Sequence, residues 1–259
     1  MKMYVLDNGV IRIISDNKVT GGGTADIPIH SFLFDTPEGY VLFDTGCDPD
    51  GMSGAWPAHM QVNPYIAGEN GYVQERLAQL GLACDDIRYV VVSHLHIDHA
   101  GGLKFFPNAE VIVSRTELCK TLRDYVRRDF SGFHMQSDIE SWLKAEIRWR
   151  PVPEDIEEFT LLPGLRILNF GPGHSYGMLG ILAELDSGAK YLLAADTIYT
   201  KEHIGPPVQI AGIAYDAKGY VKTVERIVQR SQDEGADILF GHDMEQFRTL
   251  TKSMEGYYD

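Results

Sequence analysis

Ser93-His94-Leu95-His96-Ile97-Asp98-His99-Ala100-Gly101-Gly102 sets His94, His96, Asp98 and His99 in the pattern H-x-H-x-D-H. Just upstream, residues 89–92 are an apolar, β-branched run that predicts a short buried strand. The motif therefore leaves a strand end and enters a glycine-containing turn. Side chains two apart on extended backbone point the same way, so His94 and His96 can grip one ion. Asp98 and His99 follow as the chain turns and can face a second. Neutral imidazoles and carboxylates are donors for zinc and similar ions. A solvated turn or a satisfied core histidine would explain one of these residues. Without metal, all of them together would leave desolvated polar groups side by side and unpaired.

Three further donors each sit just past an apolar run. His174 follows 165–170 through Gly171-Pro172-Gly173, Asp196 follows 191–195, and His242 follows 238–240 through Gly241. Ligands at the same ends of neighbouring strands converge in one cleft, and glycine lets the backbone turn sharply to aim them. The whole set is too large for one tetrahedral ion and suits two, with an aspartate placed to bridge them.

The flanking sequence reads as strands at 3–6, 10–14, 27–34 and 40–43, a β-meander with turns at Asp7-Asn8-Gly9, Gly21-Gly22-Gly23 and Thr36-Pro37-Glu38-Gly39. A long loop over 47–63 carries Trp56, which reads equally as a lid or as packing. A helix over 71–80, a strand over 111–113 and a helix over 116–125 follow. Residues 127–149 read as an inserted helical excursion. Strands are expected at 159–162, 165–170, 179–185 and 191–194. A helix over 217–230 puts Val221, Val224 and Val228 on one side, and a strand over 238–240 and a short helix close the chain. Strands then helices, twice over, predict an α/β protein in which two mixed sheets pack face to face with helices outside. Residues 1–259 read as a single domain.

Composition narrows the function. The chain has 259 residues, 44% hydrophobic and 23% charged, with a formal net charge of −14. That balance disfavours nucleic acid, whose binding is dominated by phosphate neutralisation, and offers no basic patch to anionic lipid. It favours a neutral or small substrate. The 3 cysteines, Cys47, Cys84 and Cys119, are widely spaced with no C-x-x-C. They predict free thiols in a reducing compartment, the cytoplasm. No signal peptide and no membrane-spanning run is expected.

With these residues in place, the chain resembles the metallo-β-lactamase superfamily and, within it, the N-acyl-homoserine-lactone lactonases. The likeness rests on the 93–101 motif, on Gly173-His174-Ser175, on Asp196-Thr197-Ile198-Tyr199-Thr200 and on Phe240-Gly241-His242-Asp243-Met244-Glu245-Gln246. Asp44-Thr45-Gly46-Cys47 and Trp56-Pro57-Ala58 are also similar. It implies the αβ/βα sandwich of that superfamily. It implies that His94, His96 and His174 hold one divalent ion, that Asp98, His99 and His242 hold another, and that Asp196 bridges them. Zinc is the first expectation, and manganese, iron or cobalt would suit the same donors. It further implies that a hydroxide bridging the ions attacks the lactone carbonyl, that Tyr199 polarises the carbonyl oxygen, and that Asp98 delivers a proton to the leaving ring oxygen. Asp44 reads equally as a partner orienting a ligand histidine and as a turn cap.

Other readings compete. Gly173-His174-Ser175-Tyr176-Gly177 matches the G-x-S-x-G elbow of serine hydrolases, but that elbow needs a helix after the serine. Glyoxalase-II-like thioesterases share the ligand set, though only a short stretch follows His242 here. A lactonase for another ring, such as 4-pyridoxolactone, would use identical chemistry. Trp56, Met60, Tyr65, Ile66, Phe133 and residues 210–213 are the expected acyl pocket. Monomer and homodimer are both open.

Overall fold

The computed structural model describes residues 1–13, 24–130 and 132–259; the Gly21-Gly22-Gly23 turn and Ile14 lie outside them. β1 (Lys2–Ile13), β2 (Ala25–Thr36) and β3 (Gly39–Phe43) pair antiparallel. The strands expected at 3–6 and 10–14 are one strand. Asp7-Asn8-Gly9 is a bulge rather than a turn, because the register against β2 shifts between Asp7 and Val10 and pairing then resumes. β4 (Tyr65–Ile66) adds to the free edge of β1. On the other side β5 (Ile87–Val91), β6 (Glu110–Ser114) and β7 (Arg148–Val152) run parallel from β3. The first sheet is thus ordered β4-β1-β2-β3-β5-β6-β7.

In the second sheet β8 (Glu158–Leu162), β9 (Leu165–Gly171), β10 (Met178–Glu184) and β11 (Lys190–Ala195) are antiparallel, and β12 (Asp237–Phe240) lies parallel to β11. Its order is β12-β11-β10-β9-β8. Successive strand residues face opposite ways. Phe32, Phe34, Val41, Phe43 and Val91 therefore meet Leu165, Ile167, Leu179, Ile181 and Leu193 between the sheets. Their neighbours Leu33, Leu42, Val90 and Val111 face outward beneath helices. Strands buried on both faces read as continuous apolar runs, which is why the sequence shows them plainly.

The helices are α1 (Val73–Gln79), α2 (Ile97–Ala100), α3 (Arg115–Arg127), α4 (Gln136–Lys144), α5 (Ala217–Glu234) and α6 (Met244–Thr249). Asp216 caps α5 by accepting from the N–H groups of Lys218 and Gly219. The buried face of α5 is Tyr220, Thr223, Val224 and Ile227, so Val221 and Val228 flank it rather than form it. Past the end of α3 at Arg127, the described helix within 127–149 is α4, and Arg148 and Trp149 begin the edge strand β7.

Trp56 settles as packing. It is 2% exposed, and its indole N–H donates to Asp138 Oδ1 on α4 at 3.4 Å. Asp138 Oδ2 is buried with no hydrogen-bond partner. Burial, reinforced by Asp48, pushes the Asp138 carboxyl up to about 7. A carboxyl raised in the folded state holds its proton there longer than in the unfolded chain, so its cost to stability grows as pH rises from about 4 to about 7. Asp138→Asn is expected to raise stability at pH 8 by up to about 4 kcal/mol, and to leave it nearly unchanged near pH 4. Thermal unfolding of both proteins across that range checks this. An Asn variant less stable at pH 8 would refute it.

Candidate metal centre

The ligand-bearing loops all leave the same edge of the two sheets. β5 ends at Val91, and the chain runs through Ser93, His94 and His96 into α2, whose first turn carries Asp98 and His99. His174 lies between β9 and β10, Asp196 directly follows β11, and His242 follows β12. Two non-glycine residues at this edge take left-handed backbone, Asp44 at φ 60 and Ala195 at φ 45. That conformation is uncommon for such residues and persists only where the surroundings demand it. Gly241 is needed for space rather than for turning: a Cβ there would stand 2.6 Å from Ala195 O and 2.8 Å from Asp196 Oδ1.

All the expected donors converge. His94, His96 and His174 form one group, Asp98, His99 and His242 another, and His94, His99 and Asp196 a third, with donor atoms in each within 4.8 Å of one another. Asp196 lies between the groups. Its Oδ2 is 3.3 Å from His174 Nε2, and its Oδ1 is 3.0 Å from His99 Nε2 and 3.1 Å from His242 Nε2. Asp98 Oδ2 is 3.5 Å from the Nε2 atoms of both His99 and His242.

The outward ring nitrogens fix the rings. His99 Nδ1 donates to Asp44 Oδ2 at 2.8 Å, His174 Nδ1 to Ile213 O at 3.0 Å and His242 Nδ1 to Pro28 O at 3.0 Å. His94 Nδ1 donates to Ser93 Oγ at 3.0 Å, and Ser93 Oγ donates to Asp44 Oδ2 at 2.8 Å. Each of these rings therefore presents Nε2 to the centre, the pattern by which metal-binding histidines are held. His96 differs, turning Nδ1 to within 3.0 Å of His174 Nε2. Asp44 thus orients His99, which decides between its two readings.

Charge follows geometry. Burial, and then the neighbouring rings, hold His94 and His96 well below the ordinary imidazole range, so both are neutral donors. Burial pushes His99 down, but Asp196, Asp98 and Asp44 more than reverse this. Burial likewise opposes ionisation of Asp196, yet His242, His99 and His174 hold its carboxyl well below the usual range. Tyr199 stays protonated because burial and the Asp196 and Asp98 carboxylates push its phenol up. His94 Nε2, His99 Nε2 and Asp196 Oδ1 are buried without a hydrogen bond. Neutral imidazoles at His94 and His96, a shared carboxylate and unsatisfied buried donor atoms fit a pair of divalent cations.

A cavity of about 320 Å³ opens onto His96, Asp98, Asp196, Tyr199 and His242, and its walls include Ile11, Ile13, Ile27, Met60, Ile97, Phe133 and Ile213. Of the expected pocket residues, Met60, Phe133, Gly212 and Ile213 line it, while Trp56, Tyr65, Ile66, Ile210 and Ala211 do not. Ile11, Ile13 and Ile27 were missed because isoleucines in a meander read as ordinary core.

Ser175 is no nucleophile elbow. Its hydroxyl donates to the buried Glu117 at 2.9 Å, and strand β10 follows it rather than a helix. Glu117 and its partner His134 are polar groups behind the site that sequence reading passed over, as it did His59 and Asn63 in the cavity wall. The only signal for Glu117 was an acidic residue at a helix start, which also describes a solvated N-terminal turn.

The chain matches the metallo-β-lactamase superfamily over residues 25–242. It is 40% identical to the N-acyl homoserine lactonase AiiB of Agrobacterium fabrum, across 100% of this chain and 99% of that protein. It is 30% identical to the N-acyl homoserine lactonase AiiA of Bacillus thuringiensis subsp. kurstaki, across 95% and 94%. A solved N-acyl homoserine lactone hydrolase, with the product N-hexanoyl-L-homoserine at its catalytic metal centre, superposes with a TM-score of 0.83 at 27% identity, covering 99% of this chain and 98% of that one. With the sheet order and the converged donors, this similarity over the full chain makes it a member of the metallo-β-lactamase superfamily and, within it, of the N-acyl homoserine lactonases.

Proposed function

We propose that the chain is a metal-dependent hydrolase that opens the ring of N-acyl-homoserine lactones to N-acyl-homoserines, and so quenches quorum signals. One observation carries the reading: two groups of buried donors share Asp196, and an isoleucine-lined cavity opens on that same carboxylate. In this reading His94, His96 and His174 would hold one divalent ion, Asp98, His99 and His242 would hold the other, and Asp196 would be shared between them. Zinc is the proposed occupant. Bound there, divalent ions supply Lewis acidity and bring the pKa of water towards neutrality.

The side chains do the remaining work. The isoleucines and Phe133 take the acyl chain out of water and leave the lactone carbonyl beside Tyr199 and Asp98. A water molecule attacks the carbonyl carbon and gives a proton to Asp98. The Tyr199 hydroxyl, kept protonated by its surroundings, donates to the carbonyl oxygen as negative charge gathers there. The ring C–O bond breaks, and Asp98 hands the proton to the departing oxygen, which becomes the hydroxyl of the product.

Donors drawn from both sheets support treating residues 1–259 as one metallo-β-lactamase-like domain. Cys47, Cys84 and Cys119 are free, which supports a reducing, cytoplasmic setting. Among the described residues no helix is long and apolar enough to cross a membrane.

Base-titrated turnover of an N-acyl-homoserine lactone, before and after chelation, tests the proposal, with a thioester and a β-lactam as controls. Expected is lactone opening that a chelator abolishes and zinc restores. Opening that survives chelation would remove the metals from the mechanism. Turnover of a control alone would replace the substrate.

A further inference from the structure

We infer that Glu117 is a positioning residue for one half of the centre: this buried carboxylate ties together the two loops that carry His94, His96 and His174, and tight binding of the ion in that half depends on it. The inference rests on the metal assignment proposed above.

Glu117 sits in the first turn of α3 and is 0% exposed. Its Oε1 accepts from Leu95 N–H, the residue between His94 and His96, at 3.0 Å. Its Oε2 accepts from Gly177 N–H, just past His174, at 3.0 Å. Ser175 Oγ, next to His174, lies 2.9 Å from both carboxylate oxygens. His134 Nε2 donates to Oε1 at 2.8 Å. That imidazole stacks on Tyr176 at 5.2 Å and 9°, and its ring lies 4.8 Å from the ring of His96. One carboxylate therefore holds the backbone beside His94 and His96, the backbone after His174, and the ring that backs His96.

The helix start is seated tightly against these loops. A Cβ at Gly177 would come within 2.1 Å of Ser114 Oγ. Every group facing the carboxylate is a donor, and only an acceptor-only group satisfies them all. Burial pushes the Glu117 carboxyl up, but the bonds from His134, Leu95 and Ser175 outweigh this and keep it ionised. The other half is held by different groups, with His99 on Asp44 and His242 on the Pro28 carbonyl. The two ions should therefore respond differently when Glu117 changes.

Glu117→Gln keeps the shape but turns an amide NH2 towards donors. Metal-free wild type and variant are titrated with zinc against a chromophoric chelator, and thermal unfolding of the metal-free proteins monitors the fold. Wild type is expected to bind two equivalents. The variant is expected to keep one unchanged and to bind the other about 10- to 100-fold more weakly. Cobalt titrations should show the same split as a loss of half the visible absorption at sub-saturating metal. Two unaltered equivalents, or equal weakening of both, would overturn the inference. If Glu117→Gln does not fold, Ser175→Ala decides it by removing one donor of the His174 loop. The same equivalent should then weaken, by less, and two unaltered affinities would overturn the inference. A wild-type chain that bound no second ion would overturn the centre itself.

Discussion

Asp196→Asn is expected to empty both metal positions and to cost at least about 10³-fold in kcat/KM, roughly 4 kcal/mol or more. Oδ1 of Asp196 faces His99 and His242, and Oδ2 faces His174. Among the described residues it is the one carboxylate that reaches both groups of donors. The amide keeps the size and loses the charge, so the centre loses half of its negative countercharge, the rest being Asp98. Metal content by mass spectrometry, read beside turnover, is the measurement. Two retained ions at an unaltered rate would refute the bridging role. One retained ion would confine Asp196 to a single half.

The second large effect is at Tyr199, and its signature is the opposite. Tyr199→Phe is expected to lower kcat by about 10² to 10³-fold with both ions retained, because the lost bond is made mainly as charge develops on the carbonyl oxygen. Its ring packs 5.4 Å from that of His174 and 5.0 Å from that of His242. Phenylalanine keeps those contacts and removes only the hydroxyl, which lies 3.4 Å from His174 Nδ1. A rise in KM with kcat unchanged would make the hydroxyl a ground-state contact. An unaltered rate would end its assignment.

The candidate metal donors were legible because each follows the buried, apolar end of a strand. A histidine or aspartate just past such an apolar run stands out against it. The positions of His94, His174, Asp196 and His242 could therefore be read without knowing how the strands were ordered. The edge strand β7 was not legible. β7 contains Arg148, Arg150 and Pro151 and exposes much of its length, so nothing in its pattern says strand, and proline is tolerated there only because the strand lies at the edge. Glu117 was hidden for another reason. Two of its partners are backbone N–H groups, and a backbone donor leaves no mark in a sequence. Trp56 was ambiguous because an aromatic side chain in a loop fits a lid and a core equally until its neighbours are known.

The donors also come from distant parts of the chain. His94 and His242 stand about 150 residues apart, and they are brought together across two sheets whose apolar interface involves no ion. An ion is therefore not expected to nucleate this protein in the way zinc nucleates a small finger domain. Loading of the proposed centre would add to stability by mass action, about 2.7 kcal/mol at a hundredfold excess over Kd. A cell short of metal would hold a reservoir of folded, idle chains rather than losing them, and enzyme output would follow metal supply without new synthesis.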